Sequence, residues 1–269
     1  MSSTTRIKSV KINLKRNLEE RVEEEVALEV PITIYVNHEH IVTLFATPTQ
    51  RRELAIGHLL GEGIIKRLEE IKDVKIRNND VHVELQSDVA IRVRASKTLK
   101  VVSSACGSTE DFYKLLDRID RPHVKSDFSI QAQELSLLAR ELSLRSRYAR
   151  RTARHSAGLF LSQALVAYSE DVGRHNAVDK AIGMASLDGI DFNHSVLITT
   201  GRQSADMVLK AARVGIPLSV SIRGPLYSGI FAAWKTRVTL VAYAKGSLMR
   251  IYTHPERVLY TSKTSDLVL

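Results

Sequence analysis

Val196-Leu197-Ile198-Thr199-Thr200-Gly201-Arg202-Gln203-Ser204 is the stretch on which the fold of this chain turns. Val196 to Thr200 is short, unbroken by charge and mostly β-branched, the pattern of a strand buried on both faces. Gly201 ends it, and a helix is predicted over Gln203 to Val214. The same alternation continues downstream. Pro217 to Ile222 predicts a strand, Ile230 to Lys235 a short helix, and Val238 to Ala244 and Leu248 to Tyr252 two more strands. Upstream, Ala164 to Tyr168 predicts a strand and Asn176 to Ser186 a helix. Strands alternating with helices predict an α/β fold with a largely parallel sheet under helices.

Further toward the N-terminus the pattern changes. Glu25 to Val36 alternates apolar and polar residues and predicts one strand, with Pro31 marking an edge or a bulge. Ile41 to Ala46 pairs with it across an Asn37-to-His40 turn. Thr47-Pro48-Thr49-Gln50 has the order of an N-cap, a proline at the first helical position and a capping-box glutamine. The helix expected from it passes through Leu54, Ile56 and Leu59 and stops near Gly61 or Gly63. Val74 to Arg77, Val81 to Leu85, Ile91 to Arg94 and Leu99 to Val102 are short alternating runs. They predict a small, mostly antiparallel α+β unit. A helix is expected over Ser108 to Ile119, a linker over Asp120 to Phe128, and a longer helix over Ile130 to Arg147. Arg140, Arg145, Arg147, Arg150, Arg151 and Arg154 make this last helix and its extension basic.

The 269 residues, 44% hydrophobic and 26% charged, can bury a core and do not have a disordered composition. No apolar run approaches the roughly 18 residues that span a bilayer. Met1 to Arg16 lacks the apolar centre of a secretory signal, so a cytoplasmic protein without a membrane partner is expected. A single cysteine excludes an internal disulfide framework and any multi-cysteine zinc site. His38-Glu39-His40 resembles a fragment of a zinc-deaminase signature, but the downstream cysteine pair is missing, and a turn with no metal is expected. A formal charge of +9 and a pI near 9.6 imply an anionic partner without identifying it.

In open α/β sheets ligands bind beyond the carboxyl ends of the strands. Three predicted ends carry arginine beside glycine: Gly173-Arg174-His175, Gly201-Arg202 and Arg223-Gly224. Glycine allows close backbone approach, the following helix start offers free N–H groups, and the guanidinium fork matches phosphate oxygens. Together the loops predict a site for a diphosphate-bearing molecule. Single residues keep plainer uses: Asp171 as a helix cap or a brace for Arg174, His175 as a loop hydrogen-bonder, Ser204 as a helix start. Asp179 and Lys180 follow His175 by four and five residues, which would put one toward the site and one toward solvent. Cys106, between a strand and a predicted helix, is either a buried inert thiol or a thiolate favoured by the helix N-terminus.

Glu170-Asp171-Val172-Gly173-Arg174-His175-Asn176-Ala177-Val178-Asp179-Lys180 resembles the signature of the FdhD family of formate dehydrogenase accessory proteins. Leu54-Ala55-Ile56-Gly57-His58-Leu59-Leu60-Gly61-Glu62-Gly63, Gly201-Arg202-Gln203-Ser204 and Gly215-Ile216-Pro217 are similar as well. The resemblance implies a cytidine-deaminase-like three-layer α/β domain over 126–269 and an extra α+β subdomain, with the Cys106 loop, over 1–125. It implies a homodimer that takes sulfur from a cysteine desulfurase to the molybdenum guanine dinucleotide cofactor. The client would be formate dehydrogenase or a related molybdoenzyme. Cys106 would carry the sulfur. Asp171, Gly173, Arg174, His175, Asn176, Asp179, Lys180, Gly201, Arg202, Ser204 and Arg223 would hold the cofactor.

The family's usual Cys-Gly-x-Cys-Gly is reduced here to Cys106-Gly107, with Ser103 or Thr109 in the other cysteine's place. Its Thr-Gly-Gly-x-His is Arg151-Thr152-Ala153-Arg154-His155. Two other uses compete with sulfur transfer. One is a chaperone that holds the cofactor nucleotide and leaves Cys106 idle. The other is a nucleic-acid binder using Arg140 to Arg154, which has charge but no recognised motif beside it.

Overall fold

β10 (Ser195–Thr199) lies inside a six-stranded sheet whose order is β13 (Leu248–Ile251), β12 (Thr239–Lys245), β11 (Leu218–Ser221), β10, β8 (His155–Leu161) and β9 (Ala164–Asp171). The computed structural model describes residues 2–86 and 122–261. The strands expected at 91–94 and 99–102, the Cys106 loop and the helix expected at 108–119 lie outside the described residues.

The sheet is only half parallel. β10, β11 (Leu218–Ser221) and β12 (Thr239–Lys245) run parallel, whereas β8 (His155–Leu161) is antiparallel to β10 and β9 (Ala164–Asp171) to β8. β13 (Leu248–Ile251) turns back on β12. The expectation of a largely parallel sheet failed at β8, which was not foreseen. Only Ser162 and Gln163 separate β8 from β9, and a loop that short forces antiparallel pairing. Gly246, at φ 62, lets β12 fold back in the same way.

β7 (Ile130–Gln131) and β14 (Val258–Leu259) pair in parallel outside this sheet, and helices cover both of its faces. α2 (Ala132–Arg145) packs Leu135, Leu138 and Leu142 on Phe160, Val196, Ile198 and Val220. It gives way after Ser146 to the short α3 (Arg147–Arg151). On the other face lie α4 (Arg174–Leu187), α5 (Ala205–Arg213) and α6 (Tyr227–Thr236), making three layers. The expected linker is pinned from Pro122 onward. Val124 is buried among α5 and α6 residues and donates its N–H to the Thr236 carbonyl at 3.0 Å.

In the N-terminal part, one predicted strand is two. β1 (Thr4–Asn13) and β2 (Leu18–Ala27) form a separate ribbon, and β3 (Val30–Val36) begins after a break. β3, β4 (Glu39–Ala46), β5 (Ile71–Arg77) and β6 (Asp80–Leu85) form a four-stranded sheet of order β4-β3-β6-β5. Pro31 pairs with β4 alone, because the β3–β6 ladder starts at Thr33, so its missing N–H breaks no bond on that side. Asn37 and His38, at φ 48 and 67, make the tight turn between β3 and β4.

α1 (Arg51–Gly61) joins the two sheets. Its apolar side belongs to one cluster that takes in Ile34 and Val83 from the small sheet and Val178, Ile182 and Leu197 from the large unit. α1 and α4 cross with their backbones in contact at Gly57 and Gly183. A Cβ on Gly57 would lie 1.7 Å from the Asp179 carbonyl oxygen.

Candidate functional site

β9 is antiparallel to β8 and β8 to β10, so β9, β10, β11 and β12 all end at one edge, where β8 begins. Asp171, Thr199-Thr200-Gly201, Ser221-Ile222-Arg223, Lys245 and His155 therefore share that edge. The three glycine–arginine loops are brought together even though the sheet is mixed.

Arg174 is the first residue of α4, and its side chain crosses Gly201. A Cβ on Gly201 would sit 2.8 Å from the Arg174 Cβ, so glycine is what leaves room for the arginine to pass. The Arg174 Nε, the His175 Nε2 and the Ser204 Oγ are buried and have no hydrogen-bond partner among the described residues. Unpaired buried polar atoms are costly, and they accumulate where a ligand completes them. Burial, reinforced by the Arg174 charge, pushes the His175 imidazole below its ordinary pKa of 6.5. Burial also lowers His155, with Arg174 and then Arg223 adding to the effect, which puts all three groups in one positive field. Arg202 and Arg223 are exposed. Ser204 occupies the N-cap position of α5, the plainer of its two expected uses, but makes no side-chain cap bond.

The other expected site residues are interior. Asp179 and Lys180 are 1% and 0% exposed, so neither faces solvent, contrary to the spacing argument. The reason is that α4 is packed on both sides, by α1 and by the sheet. Lys180 Nζ lies 2.6 Å from Asp171 Oδ2 and donates to the Thr47 carbonyl at 3.0 Å and hydroxyl at 2.7 Å. Asp171 also accepts from the Thr47 N–H and hydroxyl at 3.0 and 2.8 Å, from Gly173 N at 2.9 Å and from Asn176 Nδ2 at 3.0 Å. It therefore braces Lys180 rather than Arg174. Thr47, expected as a helix cap, is consumed here, and α1 starts only at Arg51, after Gln50 in a left-handed conformation.

Asp179 belongs to a second network. Its Oδ2 accepts from Lys210 Nζ at 3.0 Å and lies 3.0 Å from His58 Nδ1, its Oδ1 is in ion-pair contact with the same ammonium at 2.8 Å, and Lys210 also reaches Glu62 at 2.7 Å. Burial acts to lower the Lys210 ammonium, but Asp179 and Glu62 outweigh it and raise it. Thr47, His58, Glu62 and Lys210 were not among the expected site residues: Thr47 was expected only as a cap, and the other three stood only in stretches similar to the family. The available signal was Lys210 itself, a charge at the buried phase of α5 between Val208 and Ala211. The basic run divides too. Arg154 is buried against Glu170 at 2.9 Å and Arg145 pairs with Glu141 at 2.9 Å.

No helix among the described residues is long and apolar enough to cross a membrane. Comparison with known proteins gives one consistent result. The FdhD/NarQ family profile matches residues 27–259. "Sulfur carrier protein FdhD" of Staphylococcus aureus (strain MRSA252) is 31% identical over 232 residues, covering 85% of this chain and 87% of that protein. Its namesake in Methanothermobacter thermautotrophicus is 32% identical over 233 residues, covering 86% and 90%. A solved structure described as a formate dehydrogenase accessory protein, from Desulfotalea psychrophila, superposes with a TM-score of 0.77 at 30% identity, covering 96% of this chain and all of that one. A profile match over most of the chain and relatives above 30% identity along its length agree with the Glu170–Lys180 signature, and the chain belongs to the FdhD/NarQ family.

Proposed function

We propose that this protein carries sulfur for the maturation of a formate dehydrogenase or a related molybdoenzyme, holding it on Cys106. The observation that carries the reading is the conjunction of two facts: the relatives matched along most of the chain are named sulfur carriers, and the chain has one cysteine. The chemistry needs a single thiol. The Cys106 thiolate attacks the outer sulfur of a donor persulfide, the donor's thiolate leaves, and the persulfide now sits on Cys106, with no net oxidation. In the second step the acceptor attacks that outer sulfur and the Cys106 thiolate leaves with the S–S bonding pair; where the sulfur ends as a sulfide ligand of the metal, the two electrons come from the reduced metal of the cargo itself. A second thiol would divert the sulfur by closing a disulfide and releasing sulfide.

The donor in this reading is a cysteine desulfurase, and the recipient is the molybdenum guanine dinucleotide cofactor, which is cargo rather than a resident group. Its diphosphate lies against the backbones of Gly173 and Gly201 and the side chains of Arg174, His175, Arg202, Ser204 and Arg223. Buried atoms of Arg174, His175 and Ser204 that have no partner among the described residues support that placement. Asp171, Asn176 and Lys180 act from beneath by fixing the loop, and Asp179 by holding α4 to His58 and Lys210. A homodimer in the cytoplasm and a cytidine-deaminase-like description of the three-layer unit complete the proposal.

The test is Cys106→Ser, which nearly preserves size. After incubation with a cysteine desulfurase and cysteine, the wild type should gain the mass of one sulfur atom and the variant none. The variant should still bind guanosine diphosphate and leave the client enzyme inactive. Activation of the client by the variant would remove Cys106 as the carrier.

A further inference from the structure

The β1–β2 ribbon stands off the rest of the chain. Its two strands of ten residues reach roughly 30 Å. A two-stranded ribbon is marginal in water by itself, and no residue of this one joins a core cluster. Its base is what fixes it. Leu28 N–H donates to the Ser3 carbonyl and Arg154 Nη1 to the Ser3 hydroxyl, both at 2.9 Å, while the Tyr148 hydroxyl donates to the Glu25 carboxylate. Arg154 is held in turn by Glu170. The arm is thus clamped at one end, and its other end projects.

The projecting end differs in composition from the shaft. Residues 10–18 hold four large apolar side chains, Val10, Ile12, Leu14 and Leu18, with Lys11, Lys15 and Arg16 between them and no carboxylate. The five glutamates of the arm all lie on β2, from Glu19 back to Glu25. Asn13 builds the turn: its Oδ1 accepts from Lys15 N at 3.1 Å and from Arg16 N at 3.2 Å, and Asn17 closes it at φ 49. Leu14 is left at the apex, 89% exposed, with Ile12 at 64%. Single exposed apolar residues are ordinary, but four within nine residues form a patch. They do not share a face. Val10 and Ile12 point to one side of the ribbon, and Leu18, which pairs with Asn13, points to the other. A protein groove or a second copy of the chain would meet one face. A tip that is apolar on both sides and at its apex suits end-on entry into a deformable apolar medium.

We infer that the tip of this arm inserts shallowly into an anionic lipid surface. Ile12, Leu14 and their apolar neighbours enter the boundary between headgroups and acyl chains, where apolar area leaves water. Lys11, Lys15 and Arg16 surround them, and such side chains lay their stems along apolar groups while their charges stay among the lipid phosphates. The formal charge of +9 adds attraction of the same sign at longer range. The expectation of no membrane partner rested on the absence of a spanning run, and a tip that stops at the headgroup boundary needs none. The inference does not rest on the sulfur-carrier reading, and the arm contains none of the edge residues assigned there.

The test is co-sedimentation of the full chain with vesicles of phosphatidylcholine alone and of phosphatidylcholine mixed with phosphatidylglycerol, at low and at higher salt. The wild type should sediment with the mixed vesicles, less as salt rises, and scarcely with phosphatidylcholine alone. Lys15→Gln/Arg16→Gln should weaken that binding roughly twentyfold, the scale of two basic residues at an anionic surface. Ile12→Ser/Leu14→Ser keeps every charge and should weaken it roughly tenfold or more. All four positions are exposed, and thermal melts check that both variants are folded. No binding to the mixed vesicles overturns the inference. So does full binding by the Ile12/Leu14 variant, which would leave only attraction between a basic protein and an anionic surface. A change of oligomeric state in that variant by light scattering, with vesicle binding unaltered, would also overturn it and assign the tip to a second copy of the chain.

Discussion

Asp179 and Lys180 are neighbours in sequence and belong to two different ion networks. Each is fully buried, and a buried charge is tolerable only when paired and hydrogen-bonded. Burial lowers the Lys180 ammonium while Asp171, 2.6 Å away, acts against it. Lys180→Met removes the charge at nearly constant shape and leaves the Asp171 carboxylate with only its neutral donors. The expected cost is about 3 kcal/mol, the lower end for breaking a buried pair, because four donor bonds to Asp171 survive. The urea midpoint should fall accordingly, and Lys180→Met/Asp171→Asn should recover part of the loss. A midpoint equal to that of the wild type would show that the pair contributes nothing. Residue types at this site were legible in the sequence, since Asp171, Asn176, Asp179 and Lys180 all stood in the quoted signature. Their partners were not. Thr47 is 124 residues from Asp171 and Glu62 is 148 from Lys210, and no local pattern links residues so far apart.

The elements show the same division between local and non-local information. β10, α5, β11, α6, β12 and β13 fall within about three residues of where apolar periodicity put them, because each buries a continuous run or a helical stripe. The β1–β2 ribbon was invisible because its order lies between strands: Arg6 faces Glu25, Lys8 faces Glu23 and Lys11 faces Glu20. Each strand alone looks like solvated charge. The α1–α4 crossing was invisible for a similar reason, since a glycine within a helix gives no hint of what approaches it. Two effects compete in Gly57→Ala. Helix propensity favours alanine by about 1 kcal/mol. Against it, the new Cβ meets the Asp179 carbonyl oxygen at 1.7 Å, backbone that cannot rotate aside. Overpacking should win with a net loss of about 2–3 kcal/mol, lowering Tm by roughly 5–10 °C. A variant melting at or above the wild-type temperature would mean that the two helices are not held at this contact.

For the whole molecule, a formal charge of +9 and two buried ion networks set how it responds to acid. His155 and His175 have folded pKa values lowered from 6.5. The unfolded chain therefore takes up those protons first, and their contribution is present above about pH 6.5 and lost as pH falls below it. Burial pushes the Glu62 carboxyl upward, but Lys210, with His58 and Arg213 behind it, outweighs burial and holds it well below its ordinary 4.5. Its contribution is present above about pH 4.5 and lost as pH falls further. The urea midpoint should thus hold level from pH 8 to 6.5, decline toward 5, and drop more steeply below 4.5. Growing positive charge would also produce a decline, through self-repulsion, so the profile alone does not identify the groups. Glu62→Gln separates them. It is isosteric and cannot titrate, so it should be less stable than the wild type near pH 7, where Lys210 keeps only Asp179 as a charged partner. The difference should narrow as pH falls below 4.5, where the unfolded wild-type chain takes up the proton that Glu62 in the folded chain still refuses. The limb between 6.5 and 5 should survive in the variant, because the two histidines sit at the sheet edge and not in the Glu62 network. If the difference between the two proteins stayed constant down to pH 3, Glu62 would not be the group that titrates, and the Lys210 network would have to be reassigned.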